Sequence, residues 1–88
     1  MRGGEIDIIA RETGIIVFVE VRSLSSELEI NPVMTIGPHK REKIRRTAMH
    51  YLLRENLIDS VDCRFDVVGV LLKDEGPEII HIKDAFRF

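Results

Sequence analysis

The sequence predicts an α/β fold in which a mixed β-sheet packs against at least one helix, with the elements in the order β-β-α-β-β. Three observations support this order: a short turn between two apolar stretches, a long segment with apolar residues at helical spacing, and two further apolar stretches behind it. The length of 88 residues suits one domain, residues 1–88, and the apolar share of 44% is typical of a globular protein.

The first two strands are predicted at residues 5–11 and 15–22. Both are rich in isoleucine or valine, and Thr13-Gly14 between them is typical of a hairpin turn. Residues 23–37 are polar and irregular, with Asn31-Pro32 as a breaker, so we expect a long loop there.

The helix is predicted from Pro38 to Asn56. Proline suits the first turn of a helix because its missing N–H would have no partner there. The last two strands are predicted at 63–73 and 78–86, the second shorter and frayed at its end, with residues 74–77 as the turn. Apolar side chains at helical spacing would form the stripe that faces the core: Ile44, Ala48, Tyr51 and Leu52.

The composition of the chain argues against a disulfide-bonded, a zinc-binding and a membrane-spanning protein. A net charge of −2 gives no indication of a partner, and a single cysteine, Cys63, excludes an internal disulfide. His39, His50 and His81 lack the spacing of zinc ligands. No apolar run approaches the roughly 20 residues of a membrane span and no signal peptide is recognisable, so we expect a cytoplasmic protein with no membrane partner.

The predicted hairpin carries acidic residues where a core strand would carry valine. Because side chains alternate between the two faces of a strand, a two-residue turn brings Asp7 opposite Glu20 and Glu5 opposite Arg22. A slip of one residue on each strand would instead bring Glu5 opposite Glu20. In both registers carboxylates meet on one face of the sheet.

Two facing carboxylates need a positive partner, because unpaired charges are costly to bury. One candidate is a hard divalent cation, since Mg²⁺ prefers oxygen ligands. The other is arginine, with Arg11 and Arg22 neutralising the acids in ordinary salt bridges. The spacing of the residues leaves both explanations open.

Four blocks of the sequence resemble one protein family. They span residues 2–86, nearly the whole chain, and occur in the right order, so the match is far more specific than a lone E-x-K motif. They are similar to the YraN-like family of uncharacterised bacterial proteins, which resembles Holliday-junction resolvases and belongs to the PD-(D/E)xK nuclease-like superfamily. The blocks are RGGEIDIIARETGIIVFVEVRS, GPHKREKIRR, RFDVVGV and HIKDAF.

The resemblance implies a restriction-endonuclease-like fold and a metal-dependent phosphodiesterase site. Asp7 would match the acid of the first motif and Glu20 the acid of the (D/E)xK motif. The backbone carbonyl of Val21 would be a further metal ligand, and Glu5 an auxiliary acid. Mg²⁺ or Mn²⁺ held there would activate water for phosphodiester hydrolysis.

The sequence departs from the family at Arg22, which occupies the position of the motif lysine. Arginine can stabilise developing charge but cannot act as a neutral base. We therefore expect weak or absent cleavage, and nucleic-acid binding without turnover is an alternative. Arg41 likewise replaces a glutamine of the family.

The chain also starts inside the first motif, whereas members of the family usually begin with a helix and a short strand before it. We therefore expect an N-terminally shortened domain. A sheet face without that helix would expose apolar surface, which favours a homodimer or strand exchange.

The start of the predicted helix is rich in cations, with Glu42 as the single acid between His39 and Arg46. A solvated helix surface would explain such a run. Its position beside the predicted metal site favours contact with the phosphates of duplex or branched DNA. Aromatic residues are few, which argues against base stacking on single strands. The predicted contacts are Lys40, Arg41, Lys43, Arg45 and Arg46.

Near the C-terminus, His81 and Asp84 match a family block without an evident role, and Arg64 and Asp66 share a strand face as a structural pair. The sequence thus leaves three functions. They are a Mg²⁺-dependent endonuclease acting on structured DNA, a nucleic-acid-binding module without turnover, and a protein-interaction domain whose acidic hairpin is salt-bridged.

Overall fold

The computed structural model describes residues 6–25 and 31–88. Strand β3 has the predicted bounds, and the helix ends two residues earlier than predicted. The elements are β1 (Ile8–Glu12), β2 (Ile15–Leu24), a 3₁₀ turn (Pro32–Thr35), α1 (Pro38–Arg54), β3 (Cys63–Lys73) and β4 (Gly76–Phe86).

The strands form one sheet in the order β1-β2-β3-β4. β1 and β2 are antiparallel, as are β3 and β4, while β2 and β3 are parallel. A parallel pair needs a crossover connection, and α1 lies in that connection. The predicted mixed sheet with its helix is therefore confirmed.

The first hairpin has the register of the two-residue turn, one of the two that the sequence left open. Thr13 and Gly14 have positive φ angles of 47° and 81°, as a two-residue type I′ turn requires. Ile9 accordingly pairs with Phe18. β1 is shorter than predicted, because it begins at Ile8.

α1 covers one face of the sheet with the apolar stripe that was predicted. Ile44, Ala48 and Leu52 are buried in the same core cluster as Phe18. Tyr51 is half-buried and packs edge-on against Phe18, with ring centroids 5.9 Å apart. No helix in the two described ranges is long and apolar enough to span a membrane.

The prediction of an irregular loop over residues 23–37 was wrong in part. β2 continues to Leu24, and Pro32–Thr35 form a 3₁₀ turn. The side chain of Asn31 caps this turn by accepting a hydrogen bond from the N–H of Val33 at 3.0 Å. Asn31 and the proline after it, predicted as a breaker, are thus a helix start.

The turn between β3 and β4 is tighter than predicted. Lys73 pairs with Gly76, so two residues form the turn, and Gly76 has a φ of 123° that favours glycine. The end of β4 is ordered rather than frayed. Phe86 is buried and stacks on Phe65 with ring centroids 4.9 Å apart.

Candidate active site

Two carboxyl groups meet where the first hairpin joins the face of the sheet covered by α1. Asp7 lies directly before β1, and its Oδ2 accepts a hydrogen bond of 2.8 Å from the N–H of Val21. Its carboxyl group lies close enough to that of Glu20 for each to shift the pKa of the other. Glu20 follows the buried Phe18 on the same side of β2 and is only 5% exposed. The predicted meeting of these two carboxylates is confirmed.

The pKa values of the two carboxyl groups are shifted in opposite directions. Burial raises the pKa of Glu20 to about 7, and the hydrogen bond to Asp7 and the charge of Asp7 act in the same direction. For Asp7, burial would raise the pKa, but the hydrogen bonds from Glu20 and from the Val21 N–H outweigh it. The charges of Lys40 and Arg22 add to this effect, so the pKa of Asp7 is lowered. Below about pH 7 the pair therefore carries one proton, which Glu20 holds.

One oxygen of this pair lacks a hydrogen bond in the part of the chain that the structure describes. Among the residues that the structure describes, Oε2 of Glu20 is a buried side-chain oxygen without a hydrogen bond. Buried polar atoms are nearly always satisfied, and an exception calls for an explanation. The side chain of Arg22 does not satisfy this oxygen, because within the described residues its guanidinium donates to Thr35 in the 3₁₀ turn. A salt-bridged hairpin therefore accounts poorly for Glu20.

The guanidinium of Arg22 is held by Thr35. Its Nε donates to Oγ1 of Thr35 at 3.0 Å, and a terminal nitrogen donates to the carbonyl of Thr35 at 3.2 Å. Thr35 was not predicted as a residue of the site, because it lies in the segment that was predicted to be a loop. The Asn-Pro pair before it was the available signal, since asparagine caps helices and proline opens them.

Lys40 is the second cation of the site. It lies half-buried in the first turn of α1, and its charge acts on both Asp7 and Glu20. The predicted phosphate contact at this position is thus also a neighbour of the carboxylates. Because β2 and β3 are parallel, the segment between them must return along the sheet. α1 lies in this segment, so its start lies near the end of β2 that carries Glu20.

Arg41 is bound within the protein. Its Nε donates to the carbonyl of Ile36 at 3.0 Å, and a terminal nitrogen donates to the carbonyl of Val33 at 3.2 Å. These carbonyls belong to the 3₁₀ turn and its end. Arg41 therefore ties the start of α1 to the turn that holds Arg22.

The other cations of the predicted DNA surface divide into two kinds. Arg45 donates to the carbonyl of Arg87 at 2.6 Å, and its guanidinium lies 5.5 Å from the centre of the Phe86 ring. Lys43 and Arg46 are exposed. The five predicted contacts thus do not form one continuous free surface.

A second polar cluster surrounds Asp66 on the face of the sheet away from α1. This buried carboxylate accepts hydrogen bonds from Arg64 Nε at 2.9 Å and from the N–H of Asp84 at 3.0 Å, and lies 2.8 Å from His81 Nε2. Burial would raise the pKa of Asp66, but the bonds from Arg64, Asp84 and His81 lower it. The cluster explains these residues structurally, because it holds the irregular pairing between Phe65 and Val67.

The carboxylate pair suits a hard divalent cation. In the described ranges, no three His, Cys, Asp or Glu side chains form a group that could hold a metal. Mg²⁺, however, commonly binds through one or two carboxylates and keeps several waters. The unpartnered buried oxygen of Glu20 supplies an acceptor that such a cation would satisfy. Glu5, the predicted auxiliary acid, lies outside the described residues.

The architecture is that of an α/β domain consistent with a restriction-endonuclease-like fold: a four-stranded mixed sheet, one crossover helix, and an acidic pair on the first hairpin. The chain belongs to the uncharacterised protein family UPF0102, whose sequence model matches residues 1–70. This is the YraN family, so the resemblance seen in the sequence is confirmed.

Several bacterial members of the family are similar to the chain over nearly all of its length. A UPF0102 protein of Syntrophus aciditrophicus is 51% identical over 86 residues, which cover 98% of this chain and 67% of that protein. A UPF0102 protein of Lachnoclostridium phytofermentans is 48% identical over 85 residues, covering 97% and 69%. One of Geotalea uraniireducens is 45% identical, covering 96% and 66%. The chain therefore spans about two thirds of the length of these relatives.

Proposed function

We propose that the chain is a divalent-metal-dependent, endonuclease-like domain that binds structured or branched DNA and hydrolyses phosphodiester bonds. One observation carries the proposal: a buried carboxyl group, Glu20, faces Asp7 and has an oxygen without a hydrogen bond to any described residue. Two cations, Arg22 and Lys40, act on the same pair. A metal-binding carboxylate pair flanked by fixed cations is an arrangement that suits phosphoryl chemistry.

Asp7 and Glu20 are the residues that would hold Mg²⁺ or Mn²⁺. The Val21 carbonyl and Glu5 are further candidates implied by the family resemblance. A bound divalent cation supplies Lewis-acid chemistry, lowering the pKa of a bound water and offsetting charge on a phosphoryl group. Glu20 must give up its proton to bind the cation. With a pKa of about 7, it does so near neutral pH.

The cations of the chain have distinct roles in this proposal. Arg22 stays charged at any working pH, so it binds and orients a phosphate rather than removing a proton. Lys40 supplies a second positive charge on the α1 side. Lys43 and Arg46 are exposed and contact the DNA backbone farther along α1. Arg41 and Arg45 bond to backbone carbonyls, so their part in this proposal is to hold the helix that carries the exposed cations.

A Mn²⁺ titration by calorimetry tests the metal site. Wild type should bind one ion per chain, Asp7→Ala should lose measurable binding, and the matched variant Asp62→Ala should retain it, because Asp62 lies before β3 outside the site. Equal binding by wild type and Asp7→Ala, or no binding by either, would overturn the site.

Cleavage assays test the reaction itself. Linear, flapped and four-way DNA are incubated with the protein in Mg²⁺ and in Mn²⁺. We expect slow cleavage of branched DNA that Glu20→Gln abolishes and that Glu55→Gln, at the far end of α1, leaves intact. Cleavage that persists in Glu20→Gln would contradict the assignment of this residue.

A nucleic-acid-binding module without turnover is the second candidate function. Arg22 favours it, because an arginine fixed by Thr35 cannot serve as a base. Metal and DNA binding without cleavage of any of the three substrates would establish this reading. Absence of both kinds of binding would instead favour the protein-interaction domain.

A further inference from the structure

We infer that the Pro32–Thr35 turn is a positioning element that fixes the guanidinium of Arg22 as a phosphate-binding group beside the carboxylate pair. This inference rests on the proposed function and deepens it, because it assigns the recognition of the substrate phosphate to the Arg22 guanidinium and the fixing of that guanidinium to Thr35. Thr35 is the positioning residue, since it acts through Arg22.

The contact between Thr35 and Arg22 fixes both the position and the plane of the guanidinium. Oγ1 of Thr35 donates its proton to the carbonyl of Pro32 at 2.7 Å. The hydroxyl oxygen therefore presents a lone pair to Nε of Arg22, at 3.0 Å. The second bond, to the Thr35 carbonyl at 3.2 Å, prevents rotation about the first. Of the five N–H donors of the guanidinium, three have no hydrogen bond to a described residue.

The turn that carries Thr35 is itself seated on the sheet. Pro32 is buried against Gly69, where an added Cβ would lie 2.9 Å from the Pro32 Cβ. Asn31 closes the first turn by accepting from the N–H of Val33. The absence of a side chain at Gly69 thus allows the turn to pack closely on β3, directly beside Arg22, with which Gly69 pairs.

The same turn is tied to α1. Arg41 donates to the carbonyls of Val33 and Ile36, one within the turn and one at its end. The helix that carries Lys40 and the turn that holds Arg22 are thereby joined through one guanidinium. The two cations of the site consequently keep a set separation, which suits recognition of a phosphate of defined position.

A lysine at position 22 would not reproduce this arrangement. An ammonium group presents three donors from a single nitrogen, so it cannot bond to both oxygens of Thr35 and keep a planar pair of donors toward a phosphate. Loss of the Thr35 contact should accordingly weaken binding of DNA while leaving the carboxylates free to bind metal.

The test compares Thr35→Val, which keeps the shape of the side chain and loses the hydroxyl, with Thr35→Ser, which keeps the hydroxyl. Thr47→Val in α1 is the matched control for the same chemical change. Three quantities are measured in the full chain: exchange of the Arg22 Nε–H proton by NMR, Mn²⁺ affinity by calorimetry, and affinity for four-way DNA. The NMR signal is assigned by its absence in Arg22→Lys.

In Thr35→Val we expect fast exchange of the Arg22 Nε–H and about tenfold weaker DNA binding, with Mn²⁺ affinity within about twofold of wild type. Thr35→Ser and Thr47→Val should match wild type in all three. Wild-type DNA affinity or slow Nε–H exchange in Thr35→Val would overturn the inference and leave the proposed function standing. An equal loss in Thr35→Ser or Thr47→Val, or a parallel loss of Mn²⁺ binding, would also overturn it. Failure of wild type to bind DNA would remove the proposed function as well.

Discussion

Glu20 shows how one residue of the hairpin combines burial with chemistry. It occupies a core position on the helix-covered face of β2, yet it keeps an oxygen without a partner among the described residues. The shared proton with Asp7 lowers the cost of burying the pair, because the two groups carry one negative charge rather than two. Binding of a cation would displace that proton.

The proton on Glu20 predicts a pH dependence of stability in the metal-free protein. A carboxyl group with a higher pKa in the folded state binds its proton more tightly there, so unfolding releases a proton between pH 4.5 and about 7. The free energy of unfolding should therefore fall as the pH rises through this window and level off above it. The fall due to Glu20 is up to about 3 kcal/mol.

Urea unfolding in EDTA at several pH values measures this dependence. Glu20→Gln should flatten the slope between pH 4.5 and 7, whereas the exposed control Glu55→Gln should keep the wild-type slope. Asp7 acts in another window: its pKa is lowered, so its contribution is lost only as the pH falls below its ordinary value of 3.8. An unchanged slope in Glu20→Gln would contradict the assignment of the proton.

The 3₁₀ turn contacts both the packed elements of the fold and a side chain of the candidate site. It reaches Arg22 through Thr35, β3 through Pro32, and α1 through Arg41. Small segments with such contacts transmit a change in packing directly to the side chains they hold, because densely packed interiors have little free space.

Gly69→Ala tests the seating of this turn. The new methyl group would lie 2.9 Å from the Pro32 Cβ and 3.0 Å from Leu24 Cδ1, so the turn must shift. We expect a loss of about 1–3 kcal/mol in the free energy of unfolding and weaker DNA binding. Gly37→Ala is the control, since nothing lies within 4 Å of its added Cβ. A stability equal to wild type in Gly69→Ala would show that the turn moves freely.

At the scale of the whole molecule, positive and negative charges nearly balance. The net charge is −2, so any attraction to DNA must come from local cations, those grouped on α1 and Arg22 on β2. The opposite face of the sheet exposes apolar side chains, including Ile8 and Ile79. Self-association through that face stays a prediction, which sedimentation of wild type and Ile79→Lys would test.

The salt dependence of DNA binding measures the contribution of α1. Each phosphate contact that is lost should reduce the slope of log affinity against log salt by about 0.9 on duplex DNA. Lys43→Ala combined with Arg46→Ala should therefore reduce the slope by up to two contacts, with similar losses for different sequences. Lys83→Ala, on β4, should have little effect. A wild-type slope in the double variant would show that these cations only face solvent.

The local elements were predictable because their signals lie within a few residues. The turn at Thr13-Gly14 and strict alternation along two strands were enough to place carboxylates on one face of the hairpin, and the structure selected the register that brings Asp7 to Glu20. The apolar spacing from Ile44 to Leu52 likewise identified the buried side of α1. The 3₁₀ turn was missed, because a segment this short has no periodic pattern and depends on contacts with distant residues such as Gly69.

The sequence by itself therefore determined the order of the elements and the meeting of carboxylates on one face of the hairpin, since each follows from neighbours along the chain. The structure selected between the two registers that the sequence left open. Only the tertiary structure decided which cations serve the site. Arg41 and Arg45 look like their exposed neighbours in the sequence, yet they bond to backbone carbonyls, and Lys40 acts on the carboxylates. The physical reason is that a charged side chain bonds to groups that are near it in space. These neighbours are set only when the crossover helix and the 3₁₀ turn pack against the sheet.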